Sequence, residues 1–167
     1  MHRICSAAAL AAALAACSLS SSVASKRSAP TDPLPQTQAG LLRAFDWYPL
    51  EATDAQGRRV GELRGARRRG LHVRFGDESY RVKGACNTIS GAYRVEGERI
   101  VHDERLDAVQ TVAGCRGGAA MERAFFAQPL IGAHFFIDTR GRAPVLRLTA
   151  DDGAHMQLIG LPAAPAR

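Results

Sequence analysis

From about position 45 onward, the chain is built of short runs that alternate apolar and polar residues, each cut off by turn-forming residues. The clearest pair is Val145 to Thr149 and His155 to Ile159, which flank Asp151-Asp152-Gly153, the best hairpin signal in the chain. Leu71, Val73 and Phe75 alternate with His72 and Arg74, as in a half-buried strand. Gly76-Asp77-Glu78 makes a turn, and Tyr80 and Val82 resume the alternation. Tyr93 and Val95 lead through Glu96-Gly97-Glu98 to Ile100, and Phe135 and Ile137 precede Arg140-Gly141-Arg142. Phe45 to Ala52, carrying Trp47 and Leu50, opens the series. One helix is expected, Ala119 to Gln128, with Met121, Ala124 and Phe125 on one face and Pro129 as its stop. The expected architecture is mainly β: a small antiparallel β-barrel or strongly curved sheet with one packed α-helix.

The amino terminus speaks to location. Met1-His2-Arg3 is a short positive region, Ile4 to Ala13 is apolar, and Leu14-Ala15-Ala16-Cys17 follows. That tetrapeptide resembles the lipobox of bacterial lipoproteins. The resemblance implies a removable signal over 1–16 and a diacylglycerol on the Cys17 thiol. The plainer alternative is a secretory signal with an incidental cysteine. Acyl chains contribute about 0.8 kcal/mol per buried methylene, and more than one chain anchors stably. By the same resemblance, Ser18 after the cysteine suggests the outer membrane of a Gram-negative cell, with the protein facing the periplasm. Residues 17–40 read as the lipidated cysteine and a tether rich in Ser and Pro, able to reach at most roughly 70 Å. The folded domain is expected over 41–161, with a short tail after it. No apolar run downstream of the signal approaches the roughly 20 residues that a spanning helix needs.

A family resemblance covers nearly all of the folded part. Cys86-Asn87-Thr88-Ile89-Ser90-Gly91-Ala92-Tyr93 has the Cys-Asn-x-x-x-Gly-x-Tyr spacing of META/HslJ-like domains. Thr111 and Cys115 resemble that family's Thr-x-x-x-Cys, and Met121-Glu122 its Met-Glu helix. Trp47-Tyr48-Pro49-Leu50 is similar to its opening Trp-x-x-Leu strand. Two features depart from the pattern. The usual Gly before the cysteine is Ala85, with Gly84 one place earlier, and the stretch between the first two strands is unusually rich in arginine. The resemblance implies a mostly β domain on exported bacterial proteins associated with heat-shock and envelope stress. It carries over no catalytic residue and no cofactor. With Cys5 in the signal and Cys17 as the lipid site, Cys86 and Cys115 remain, and exported pairs of this kind usually form a disulfide. Closing a loop of about 30 residues would add roughly 3.5 kcal/mol in the chain-entropy model. The alternatives are two buried thiols too far apart to bond, or a redox pair, which lacks a Cys-x-x-Cys spacing.

Arg3 leaves with the signal, so the mature chain has 21 basic residues against 16 acidic. Arg58, Arg59, Arg64, Arg67, Arg68 and Arg69 stand against Glu62 alone. This segment reads either as a surface that docks on the phosphates of anionic envelope lipids or as a solvated basic loop. Export separates the chain from nucleic acid, and no recognition module is present. His72, His102, His134 and His155 show no zinc spacing, and Asp151-Asp152-Gly153 lacks the further ligands of a calcium loop. Ser90 has no nucleophile elbow around it, and Glu96 and Glu98 flank a turn glycine. Asn87 and Tyr93 fit turn capping and core packing at least as well as a pocket. No metal site, cofactor or catalytic motif is therefore expected. The expected role is non-catalytic binding or structure at the envelope, through the lipid, with anionic lipids or an envelope protein as partner. The rival reading is a periplasmic inhibitor of a hydrolase such as lysozyme or a peptidase, because Ser90-Gly91-x-Tyr93 resembles the binding loop of small lipoprotein inhibitors. A basic inhibitor would be repelled by the commonly basic lysozymes.

Overall fold

A computed structural model describes residues 37–84, 86–105, 107–112 and 118–163. The expected signal, Cys17, nearly all of the tether and Cys115 lie outside them.

Helix α1 (Gln38–Ala44) begins at Thr37, whose hydroxyl accepts from the Gly40 amide at 3.0 Å. Leu41 and Leu42 are buried, and the Gln38 side chain grips the Ile137 backbone at both ends, donating at 3.3 Å and accepting at 2.6 Å. The helix thus includes three residues ahead of Leu41. Seven helical residues are too few for their periodicity to stand out.

Nine strands follow among the described residues: β1 (Phe45–Thr53), β2 (His72–Phe75), β3 (Ser79–Lys83), β4 (Thr88–Glu96), β5 (Arg99–His102), β6 (Val109–Gln110), β7 (His134–Asp138), β8 (Val145–Thr149) and β9 (His155–Pro162). All pairings are antiparallel, in the order β3-β2-β1-β9-β8-β7-β5-β4-β6, and β3 also pairs with β4. The sheet therefore closes into a ring, the barrel-like arrangement expected from the alternation. Strand β4 performs the closure by pairing with both β3 and β5, and it also holds the short β6 through Ile89 and Ser90. Its first part pairs with β3 from Thr88 to Ala92, and its second part pairs with β5 from Tyr93 to Glu96. Closure leaves few open edges for another chain to pair with. The seam between β5 and β7 is the thinnest, with Arg99 and His134 as its register pair. Arg99 reinforces it by forking onto Asp151 of the β8–β9 turn at 3.0 and 2.7 Å and donating to the Gly132 carbonyl at 2.7 Å. That is the use the fold makes of the Asp-Asp-Gly turn.

Inward residues of every long strand meet in one core. Trp47, Phe75, Tyr93, Ile100, Leu148 and Leu158 are fully buried or nearly so, each worth about 1.5–3 kcal/mol by the area it removes from water. Strand β1 breaks the simple alternation. A bulge between Pro49 and Glu51 shifts its register against β9, and Leu50 stands 48% exposed. Proline has no amide to give the ladder, so a bulge suits it. Leu50, one of the apolar residues of the expected first strand, faces water for this reason.

Helix α2 (Ala119–Phe126) stops two residues short of the expected Gln128. Its buried face carries Met121, Glu122 and Phe125, with Ala124 partly buried against the same core as expected, and the buried Glu122 carboxylate is the addition. Between β1 and β2 the arginine-rich segment is not a loose loop. It forms two short 3-10 turns, Gly61–Leu63 and Ala66–Arg69, pinned by the buried Leu63 and Ala66. No helix among the described residues is long and apolar enough to cross a membrane.

Candidate functional site

The motif residues lead first to Glu122. Its carboxylate, 4% exposed, lies under the turn from Gly84 to Asn87. One oxygen accepts from the amides of Asn87 at 2.8 Å and Cys86 at 3.2 Å, and the other accepts from the Asn87 side-chain amide at 2.7 Å. Burial pushes the carboxyl up, but the hydrogen bonds from Asn87 and Cys86 outweigh it and hold Glu122 below the usual carboxylate range. The turn itself closes through the Gly84 amide on the Asn87 carbonyl at 2.7 Å. A Cβ at Gly84 would stand 1.9 Å from the Glu122 oxygen. Glycine is needed here, one place before the usual position, because a carboxylate occupies the space a side chain would take.

The other motif residues are engaged in the same way. The Thr111 hydroxyl accepts from the Thr88 amide at 2.9 Å, and the Thr111 amide donates to the Thr88 carbonyl at 3.0 Å, stapling the segment after β6 to the start of β4. Gly91 lies under its cross-strand partner Tyr80, and a Cβ would come within 2.8 Å of the Tyr80 hydroxyl. The Tyr93 hydroxyl donates to the Gly76 carbonyl at 2.5 Å, while its buried ring packs edge-on against Phe75. Burial pushes the Tyr93 phenol up. Trp47 donates from its indole to the Leu42 carbonyl at 2.7 Å, and Met121 faces the core. Each of these groups holds chain to chain. Ser90-Gly91-Ala92-Tyr93 lies inside a paired strand with Gly91 and Tyr93 buried, so it makes no protruding loop of the kind a hydrolase inhibitor inserts.

A concavity of about 940 Å³ lies on the outer face of β1 to β4. Register aligns two rows of side chains across it. One runs Asp46, Arg74, Arg81, Ser90, and in the other His72, Lys83 and Thr88 follow Tyr48, whose ring lies 5.0 Å from the imidazole. Arg74 pairs with the buried Asp46 carboxylate at 3.0 Å. His72 holds the Gly70 carbonyl through Nδ1 at 2.7 Å, which assigns the proton to that nitrogen. Burial and the Asp46 charge push the Tyr48 phenol up, while the Arg67 charge draws it down. Arg81 and Lys83 are exposed and make no hydrogen bond or ion pair among the described residues. Sequence reasoning missed this face. Its signal was present as the polar half of the alternation in β2 and β3.

The arginine segment divides into two groups. Arg58 pairs with Asp54 at 2.8 Å, and Arg59 lies 3.8 Å from Glu51. Arg64, Arg67, Arg68 and Arg69 are exposed and without an ion pair among the described residues. The histidines stay apart: His155 meets Thr53 at 2.8 Å, His134 lies 3.1 Å from Arg99, and His102 is exposed. Among the described residues no three His, Cys, Asp or Glu side chains gather as metal ligands.

No curated protein matches the chain significantly. A solved structure, the NMR structure of a protein from Burkholderia xenovorans, is similar at a TM-score of 0.57 and 16% identity. The likeness covers 83% of this chain and 96% of that one, and it bears on the fold alone. The META domain model matches residues 45–162, from the first residue of β1 to the last of β9. With the motif residues holding together the turn, helix and strands just described, the chain belongs to the META domain family.

Proposed function

We propose that this META domain protein is a lipid-anchored, envelope-facing lipoprotein with a non-catalytic binding role, set in the heat or envelope stress its family is associated with. The lipobox-like Leu14-Ala15-Ala16-Cys17 supports the anchor, and a Cys86–Cys115 disulfide suits an oxidising compartment. One observation carries the binding role. The described family-motif residues, Glu122 and Asn87 above all, are consumed by packing and hydrogen bonds, while the polar face left open is a basic concavity. Arg64, Arg67, Arg68 and Arg69, exposed and without an ion pair among the described residues, stand ready for anionic headgroups of the membrane that holds the anchor.

Fractionation of cells making the intact chain or Cys17→Ala tests the reading. The intact protein should sediment with outer membranes and carry acyl mass on Cys17, and Cys17→Ala should accumulate unprocessed. A soluble mature chain that begins elsewhere and carries no acyl group would overturn it.

A further inference from the structure

We infer that the concave face of β1 to β4 is a binding site for a soluble organic ligand carrying two phosphate groups, held by Arg81 and Lys83. The inference deepens the binding role proposed above and rests on it. The first observation is charge. Arg81 stands directly opposite Arg74 in the β2–β3 register, an arrangement of like charges that costs stability. Asp46 neutralises Arg74 at 3.0 Å and nothing among the described residues neutralises Arg81 or Lys83. An anion over this row removes the imbalance.

The second observation is spacing. Arg81 and Lys83 are two residues apart on one face of β3, which puts their stems roughly 7 Å apart. A single phosphate meets one of them well, and a bisphosphate meets both. A guanidinium forks onto phosphate oxygens, and an ammonium serves as a point charge beside it. The hydroxyls of Ser90 and Thr88 stand next to the two cations in register, ready to donate to the same oxygens. The third observation is shape. At about 940 Å³ the concavity is the size of a small-molecule site. Its cations line a hollow rather than a bulge, unlike Arg67 to Arg69, which are displayed on an exposed turn. A bilayer surface suits the turn, and a soluble ligand suits the hollow.

Calorimetry on the purified full-length protein tests the site with fructose 1,6-bisphosphate and fructose 6-phosphate as probes. The bisphosphate should bind at least about tenfold more tightly than the monophosphate, and Arg81→Gln with Lys83→Gln should remove that advantage. Arg68→Gln with Arg69→Gln, outside the hollow, should leave it within about twofold. Vesicles containing phosphatidylglycerol should bind the Arg81/Lys83 variant as well as the original. Equal affinities for the two sugars, or an advantage that survives in the Arg81/Lys83 variant, would overturn the site. A loss of vesicle binding in that variant without loss of bisphosphate binding would overturn it in favour of a lipid headgroup. Inorganic phosphate released from the bound bisphosphate would uphold the site while defeating the non-catalytic role, so the two readings fail separately.

Discussion

Replacing Glu122 with Ala should unfold the domain from an unexpected place. The carboxylate accepts three hydrogen bonds, from the amides of Cys86 and Asn87 and from the Asn87 side chain, at 3.2, 2.8 and 2.7 Å. A hydrogen bond to a charged group contributes about 1.5–3 kcal/mol net. The longest of the three is the weakest, so the loss should be about 3–5 kcal/mol, and for a domain of this size the melting temperature should fall by about 10 °C or more. Glu122→Gln keeps one acceptor but turns an amide toward the Asn87 amide, and should cost about 1.5–3 kcal/mol. The two variants part company with pH. The folded carboxyl lies below its ordinary value of 4.5, so its extra stability is present above that value and is lost as pH falls through the folded one. Glutamine binds no such proton. Urea melts followed by circular dichroism should therefore show the gap between wild type and Glu122→Gln narrowing from pH 7 to pH 3. A Gln variant as stable as the original at pH 7, or a gap independent of pH, would refute the assignment.

Gly84→Ala should destabilise by more than 2 kcal/mol through the clash with Glu122, an estimate of about the size that overpacking brings. Combined with Glu122→Ala it should cost clearly less than the sum, which a double-mutant cycle in urea reads directly. Thiol counting on the denatured, unreduced mature protein should find no free cysteine; two titratable thiols in periplasmic material would rule out the Cys86–Cys115 bond. Replacing Arg67, Arg68 and Arg69 with Gln should weaken binding of the unlipidated protein to anionic liposomes, each arginine contributing about 1 kcal/mol, without shifting the melt. Equal liposome binding would make the segment an ordinary solvated surface.

The strands were legible because a side chain on a strand has only two faces to choose from. Leu71 to Phe75, and Tyr80 with Val82, declare their inner face within five residues. The bulge at Leu50 was not legible, because an extra residue shifts the phase by a step that sequence periodicity absorbs silently. Helix α1 is too short to show a period, and its hold on Ile137 is a contact across 99 positions. Glu122 was visible only through the family resemblance. A glutamate on a helix reads as solvent-facing, and nothing local says that a turn 35 residues earlier will aim three donors at it. The basic hollow is similar. Each of Arg74, Arg81 and Lys83 is plainly an outward residue, yet their assembly depends on which strands become neighbours.

The pairing of β1 with β9 has a consequence for how the molecule comes into being. Phe45 is matched with Pro162, so the first strand keeps one edge open until more than a hundred further residues have arrived. At about 5–20 residues per second, a chain delivered amino end first waits several seconds to tens of seconds for its last partner. During that interval an edge carrying Phe45 and Trp47 is available to any neighbouring chain. Long-range closure of this kind also slows folding, because the loop entropy is spent before the contacts return it. Crowded, hot or stalled conditions should therefore injure this barrel most while β9 is still missing, and removal of those eight residues should yield a sticky, open sheet rather than a slightly weaker domain.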